Sequence, residues 1–128
     1  MESEIIKILA IDYTFDNLIT LKALIIEAFP EAKVITTTSG EQGIELAISE
    51  NPDVILLDII MPDMDGFEVC RKLKTIKITN NIPVVFVTAL KGDSESRIKA
   101  LEVGAEAFIA KPIDQSELVA QIRAMANI

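Results

Sequence analysis

The chain has 128 residues, half of them hydrophobic, and a formal net charge of −8. Its length suits one domain, and its apolar content, with a mean hydropathy of +0.38, is enough for a core and excludes a disordered chain. The negative charge argues against direct contact with nucleic acid. One cysteine and no histidine exclude disulfide frameworks and Cys/His zinc sites, so any metal should be a hard ion bound by oxygen.

The apolar runs are short, among them residues 54–57, 59–61 and 84–87. None approaches the ~18 to 20 residues that a membrane-spanning helix needs, and no signal-peptide pattern opens the chain. We therefore expect a cytoplasmic protein without contact with a membrane.

Strand-like apolar runs alternate with helical periodicity from the N-terminus onward. Residues 5–11 predict a first strand, and Asp16 is the expected N-cap of the helix that follows. The apolar positions of this helix recur at helical spacing: Leu18, Leu21, Ile25 and Ala28. The β-branched residues 34–37 predict a second strand. Ser39 followed by Gln42 is typical of a capping box, and the second helix should end before Pro52.

A third strand is predicted over residues 53–57, which are apolar on both faces, as a parallel sheet covered by helices requires. The next helix begins after Gly66, and its inward face should carry Phe67, Cys70 and Leu73, with Cys70 an inert buried thiol. Residues 82–87 predict the fourth strand.

The last elements are a helix over residues 94–103, a short strand Ala107–Ala110 and a final helix. Ile98 and Leu101 are expected to point inward from the first of these helices. Asp114 and Glu117 should open the final helix, which carries an apolar stripe of Leu118, Ile122 and Met125. The order is (βα)5, which predicts a single α/β domain over residues 1–128 with a doubly wound, parallel five-stranded sheet.

Polar residues end four of the predicted strands: Asp12, Asp58, Thr88 and Lys111. The carboxyl ends of parallel strands lie along one edge of a sheet, where such folds bind ligands at a switch in strand order. Two carboxylates could bind Mg²⁺, while a hydroxyl and an ammonium group could bind phosphoryl oxygens. We therefore expect a phosphoryl site at this edge.

Four segments in this order resemble the receiver domains of response regulators: ILAID at 8–12, DVILLDIIMPDMDG at 53–66, PVVFVTA at 83–89 and FIAKP at 108–112. The resemblance covers essentially the whole chain. It implies a flavodoxin-like receiver fold, similar to that of the chemotaxis regulator, in a two-component system or phosphorelay. Such a domain is a phosphorylated signalling switch rather than an enzyme with a separate substrate.

The resemblance also implies roles for individual residues. Asp58 would accept the phosphoryl group from a histidine kinase or phosphotransfer protein. Mg²⁺ would be bound by Asp12, Asp58 and the backbone carbonyl of Ile60. Lys111 would pair with the phosphoryl oxygens, with the bond to the following proline in the cis form.

Two further residues are expected to carry the signal away from the phosphoryl group. The Thr88 hydroxyl would move to bond a phosphoryl oxygen, and Phe108 would turn inward with it. This pair would change an interaction face near the fourth helix and fifth strand, where a downstream protein or a fused output domain would bind.

Tyr13 departs from the family pattern. Receivers usually have a second acidic residue directly after the first, and here the sequence is Asp12-Tyr13-Thr14. A phenol with an ordinary pKa near ~10 is neutral at pH 7 and a poor Mg²⁺ ligand. We therefore expect a weakened metal site, whether Tyr13 is natural or introduced.

The phosphoacceptor switch has three alternatives. Tyr13 favours a pseudo-receiver, an interaction module that no longer responds to phosphate. An aspartyl phosphatase would need a second aspartate where Ile60 stands, and a dinucleotide-binding enzyme would need a glycine-rich turn that residues 12–16 lack. The domain could act alone or form part of a hybrid histidine kinase or a multidomain regulator.

Overall fold

The computed structural model describes residues 5–89 and 94–128, and they form the predicted (βα)5 order. The strands are β1 (Lys7–Ile11), β2 (Lys33–Thr37), β3 (Val54–Leu57), β4 (Val84–Thr88) and β5 (Ala107–Ala110). The helices are α1 (Phe15–Ala28), α2 (Gly40–Glu50), α3 (Gly66–Thr75), α4 (Ser94–Glu102) and α5 (Gln115–Ala126). None of these helices is long and apolar enough to cross a membrane.

All five strands are parallel and lie in the order β2-β1-β3-β4-β5. The chain moves outward from β1 to β2 and then returns to the other side of β1 to form β3. The order therefore reverses between β1 and β3, and the carboxyl ends of these two strands flank the switch point at which doubly wound sheets bind ligands. This topology confirms the predicted sheet and directs attention to the residues that follow β1 and β3.

Both faces of the sheet are covered, as the apolar strands predict. One core cluster joins alternate strand residues to α2, α3 and α4, and it includes the predicted inward residues Phe67, Cys70 and Leu73. The other joins the remaining strand residues to α1 and α5. Burial raises the pKa of the Cys70 thiol to about 11, in agreement with the prediction of an unreactive cysteine.

The predicted N-caps of α2 and α5 are confirmed, but the full capping box of α2 is not, because the Ser39 amide donates to Thr37 Oγ1 and not to the Gln42 side chain. The Ser39 side chain accepts a hydrogen bond from the Gln42 amide at 3.1 Å, and Asp114 accepts bonds from the amides of Ser116 and Glu117. Asp65 caps α3 in the same way, by accepting a bond from the Glu68 amide at 2.9 Å. Each cap satisfies an amide that has no partner within its helix.

The predicted cap of α1 is wrong. Helix α1 begins at Phe15 with Thr14 at the N-cap, so Asp16 lies inside the first turn. There its negative charge interacts favourably with the positive end of the helix dipole. The Thr14 side chain makes no capping bond. Instead, Asp12 reaches forward to accept a bond from the Thr14 amide, which allows the helix to begin before Asp16.

The inward face of α4 was also predicted wrongly. Ile98 and Leu101 are 54% and 71% exposed, whereas Ala100 is buried, as is Val103 just after the helix. Ala100 and Val103 have the same three-residue spacing as the predicted pair, so the periodicity fits either stripe. The tertiary packing selects the stripe with the small Ala100 side chain.

Candidate functional site

The structure brings together the four residues that end the strands. Asp12 follows β1, Asp58 follows β3, Thr88 ends β4 and Lys111 follows β5. The Lys111 Nζ atom lies 2.7 Å from Asp12 Oδ2 and 3.5 Å from Asp58 Oδ2. Residues up to 99 positions apart in sequence therefore share one ion-pair network at the carboxyl edge of the sheet.

Asp58 is a buried carboxylate, 8% exposed. Its Oδ1 atom accepts hydrogen bonds from the amides of Ile59 at 2.7 Å and Ile60 at 3.4 Å. Burial raises the pKa of the Asp58 carboxyl above its ordinary value. The Lys111 ammonium opposes this rise, the Asp12 charge adds to it, and hydrogen bonds from Thr88 and Ile59 oppose it. The site therefore holds a carboxylate in one fixed orientation with limited access to water.

Asp12 is buried as well, at 3% exposure, and both of its oxygens have partners. Oδ1 accepts bonds from the Thr14 amide at 2.9 Å and the Asn17 side chain at 3.4 Å, while Oδ2 faces Lys111. The contribution of Asn17 was not predicted from the sequence. Its position near the start of a helix, five residues after Asp12, is the signal that could have indicated it.

Lys111 is positioned by its backbone as well as by its ion pairs. Its amide donates a hydrogen bond to the Thr88 carbonyl at 2.8 Å, which fixes the turn out of β5 against the end of β4. The Lys111-Pro112 peptide bond is cis, as predicted. Thr88 itself is fully buried, so its hydroxyl lies inside the site rather than on the surface.

Gly66 supports the Asp58 loop, a role that was not predicted from the sequence. Its amide donates to the Ile59 carbonyl at 2.8 Å. A Cβ atom at this position would lie 2.2 Å from the Asp58 carbonyl oxygen and 2.7 Å from Ile59 Cα. Only glycine allows this approach between backbones.

The site offers oxygen atoms, the type of ligand that a hard divalent cation prefers, but it has few acidic side chains. Asp12 and Asp58 are the carboxylates that face Lys111, and the described part of the chain contains no group of three Asp, Glu, Cys or His side chains able to hold a metal ion. Tyr13 is 57% exposed beside this site. It borders a cavity of about 230 Å³ between the loops that follow β1, β2 and β3.

Phe108 lies at the edge of the core rather than within the ion-pair network. It is half-buried, and the Arg97 guanidinium lies 4.9 Å from the centroid of its ring. A groove of about 250 Å³ separates Phe108 from Leu101 on α4. The structure shows one arrangement of this face, so the predicted movement of Phe108 with Thr88 remains a prediction.

Comparison with known proteins agrees with the fold. Residues 8–123 match the response regulator receiver domain. The chain belongs to this family. It is 44% identical over 121 residues to the response regulator PleD of Caulobacter vibrioides, covering 94% of the chain and 26% of PleD. It is 41% identical to the probable transcriptional regulator ycf27 of Guillardia theta, covering 72% of the chain and 35% of that protein.

The receiver domain of the sensor histidine kinase PA1611 from Pseudomonas aeruginosa shares the fold. Its TM-score is 0.85 at 24% identity, and the comparison covers 98% of this chain and 100% of that domain, which has a magnesium ion coordinated in its active-site cleft. The chain spans only about a quarter to two fifths of the length of the curated relatives that it matches. The receiver domain is a phosphoacceptor switch of two-component signalling, and the matched segment is about a quarter of PleD and a third of ycf27.

Proposed function

We propose that Asp58 is the phosphoacceptor of this receiver domain. The observation that supports the proposal is the orientation of its carboxylate: the Ile59 and Ile60 amides bind Oδ1, and Oδ2 faces Lys111. A carboxylate oxygen would attack the phosphorus of a phosphohistidine on a histidine kinase or phosphotransfer protein. The new P–O bond forms an acyl phosphate as the P–N bond breaks, and the imidazole takes up a proton as it leaves.

The surrounding residues would lower the barrier by electrostatics and positioning. Amide donors hold Asp58 in one rotamer, so little reorientation is needed before the attack. Lys111 offsets the negative charge that accumulates as a phosphoryl group approaches two carboxylates. Asp12, Asp58 and the backbone carbonyl of Ile60 would hold a Mg²⁺ ion, which would supply the remaining charge neutralisation. In this way the domain would assist its own phosphorylation without turning over a separate substrate.

The acyl phosphate would act through its added charge. By analogy with other phosphorylated side chains, it adds roughly −1.5 to −2 charge at pH 7. Lys111 would then pair with phosphoryl oxygens, and the Thr88 hydroxyl would bond another of them. Because the Lys111 amide is bonded to the Thr88 carbonyl, the ends of β4 and β5 would respond together, and Phe108 would follow.

The partner of the phosphorylated state would bind beside α4 and β5. This face already presents Ile98 and Leu101 to solvent next to the groove at Phe108. The partner is a separate downstream protein or an output domain fused to residues 1–128, which we treat as one domain. The expectation of no direct nucleic-acid contact applies to this domain alone, since ycf27 is named as a transcriptional regulator. Cytoplasmic location remains a prediction.

Tyr13 would weaken Mg²⁺ binding because it supplies no anion next to Asp12. One charge at ~4 Å from a divalent ion is nominally worth several kcal/mol at an effective dielectric of ~20. Desolvation of the new carboxylate should reduce this to ~1 to 3 kcal/mol, so Tyr13→Asp should bind Mg²⁺ about 5- to 150-fold more tightly. Equal Mg²⁺ affinity with faster phosphorylation would instead indicate that the exposed ring obstructs the phosphodonor. No change in either would make Tyr13 a bystander.

The phosphoacceptor assignment is tested by intact mass after incubation with acetyl phosphate, with and without Mg²⁺. One phosphoryl addition is expected, dependent on Mg²⁺ and abolished by Asp58→Asn. Asp63→Asn is the matched control, because Asp63 lies in the same loop and asparagine tolerates its positive φ of 66°. Phosphorylation that persists in Asp58→Asn contradicts the assignment, and a parent chain that never gains a phosphoryl group is a pseudo-receiver.

A further inference from the structure

Tyr13 is an exposed aromatic side chain next to two buried carboxylates. Asp12 and Asp58 are 3% and 8% exposed, whereas Tyr13, the residue directly after Asp12, is 57% exposed. The cavity of about 230 Å³ that Tyr13 borders is also lined by residues 62–64 of the loop that carries Asp58. The side chain therefore lies between the end of β1 and the loop after β3, the two segments that carry the carboxylates.

A phosphodonor has to leave most of its own structure outside this site. In-line transfer puts the leaving group on the far side of the phosphorus from the attacking oxygen of Asp58. Because Asp58 is buried, the leaving group lies at the surface, where the segments after β1 and β3 present Tyr13 and Ile60, each 57% exposed. Of these two side chains, Tyr13 is the one that offers an aromatic face.

We propose that Tyr13 selects among phosphodonors: it favours a donor whose leaving group is an imidazole, as in a phosphohistidine, over a small acyl phosphate. This proposal rests on the proposed function, because it concerns transfer to Asp58. As the new P–O bond forms and the P–N bond breaks, the electron pair of the P–N bond stays on that ring nitrogen, and the other nitrogen takes up a proton from solvent. The donor ring therefore carries positive charge during the transfer.

A positively charged ring is attracted to the face of a tyrosine. Acetyl phosphate differs at this point, because its P–O bond breaks to release acetate, an anion that gains no such attraction. Both donors transfer the same phosphoryl group to the same carboxylate. The contact with Tyr13 would therefore change the rate for one donor and not for the other.

The charges around Tyr13 act in the same direction. The described residues that line its cavity contain the acids Glu41, Asp63 and Glu68 but no lysine or arginine. These carboxylates attract a protonated imidazole ring and repel acetate, and the net charge of −8 adds to this preference at longer range. The aromatic face and the surrounding charge therefore favour the same class of donor.

The ratio of two rate constants tests the proposal. Second-order rate constants for phosphorylation by monophosphoimidazole and by acetyl phosphate are measured by intact mass at saturating Mg²⁺, and their ratio cancels any effect of Tyr13 on the metal that both donors share. Tyr13→Leu should lower the ratio of the first to the second by about 2- to 5-fold, as expected for an exposed cation–π contact. Tyr13→Phe, which keeps the ring, should stay close to the parent.

Phe15→Leu is the matched control. Phe15 is a second exposed aromatic residue near the start of α1, 65% exposed, and it is not among the residues that line the cavity. Its replacement should leave the ratio unchanged. Tyr13 belongs to neither core cluster, so its substitutions should not disturb the fold.

A ratio that is unchanged or raised in Tyr13→Leu, or lowered equally in Phe15→Leu, would overturn the proposal and leave Asp58 as the phosphoacceptor. An equal loss in Tyr13→Phe and Tyr13→Leu would also overturn it, because the hydroxyl and not the ring face would then be responsible. A parent chain that gains no phosphoryl group from either donor would overturn the proposed function, and this proposal with it.

Discussion

Replacement of Gly66 by alanine probes the contact between the start of α3 and the backbone that carries Asp58. The added Cβ would lie 2.2 Å from the Asp58 carbonyl oxygen, 2.7 Å from Ile59 Cα and 2.9 Å from the Asp58 carbonyl carbon. All three atoms belong to the backbone, so no side-chain rotation relieves the overlap. Overpacking typically costs ~1 to 3 kcal/mol, and a clash confined to backbone should reach the upper end, ~3 kcal/mol.

Gly40 offers a matched control, because it occupies the same position in α2, directly after the N-cap Ser39. A Cβ there would lie 2.7 Å from a methyl group of Val69, while its nearest backbone atom, the Met64 carbonyl oxygen, is 3.4 Å away. The methyl group can move slightly, so Gly40→Ala should cost no more than ~1 kcal/mol. The difference between the two variants isolates the backbone clash from the general effect of alanine at the first helical position.

Urea unfolding of the parent and both variants measures these losses of unfolding free energy. In thermal unfolding, Gly66→Ala should lower the melting temperature by about 10 °C. The displaced loop also carries the amides of Ile59 and Ile60 that orient Asp58. Phosphorylation by acetyl phosphate should therefore slow in Gly66→Ala, under conditions where the variant is still folded, and remain close to the parent rate in Gly40→Ala. If the two variants lose equal stability, the loop accommodates the Cβ atom and the argument from backbone contact is refuted.

Two further predictions concern the lifetime of the acyl phosphate and a hydrogen bond at the amino-terminal ends of β4 and β5. In the sequence, Ile60 lies two positions after Asp58, and Leu90, which is outside the described residues, lies two positions after Thr88. Neither side chain can form a hydrogen bond that orients a water molecule for hydrolysis. Replacing both with glutamine should speed dephosphorylation by ~10-fold, measured by loss of phosphoryl mass. Ile78→Gln is the control, since Ile78 is as exposed as Ile60, and an unchanged rate in the double variant would contradict this reading. Glu106 accepts a hydrogen bond from the buried Val84 amide at 2.8 Å, so Glu106→Ala should cost ~1 to 2 kcal/mol in urea unfolding, and Glu106→Gln, which keeps an acceptor, clearly less.

The sequence by itself determined the order and type of the elements and the faces of most helices. Local periodicity was sufficient here, because α1 and α5 each bury one continuous stripe, and side chains such as Ser39 and Asp114 cap the helix directly after them. The placement of Asp12, Asp58, Thr88 and Lys111 at one edge also followed from the sequence, because parallel strands direct all their carboxyl ends the same way. Their roles rest on the resemblance and on the proposals above.

Tertiary structure alone decided the features that depend on distances between remote parts of the chain. On α4, two stripes share one spacing, and the tertiary packing buries Ala100 while Leu101 remains exposed. The close approach of Gly66 to Asp58 is a matter of ångströms that no residue pattern records. Lys111 lies closer to Asp12 than to Asp58, although the resemblance gave it only a phosphoryl group to bind. Ion-pair partners depend on how packed elements position side chains 53 and 99 residues apart, whereas periodicity describes only neighbours along the chain.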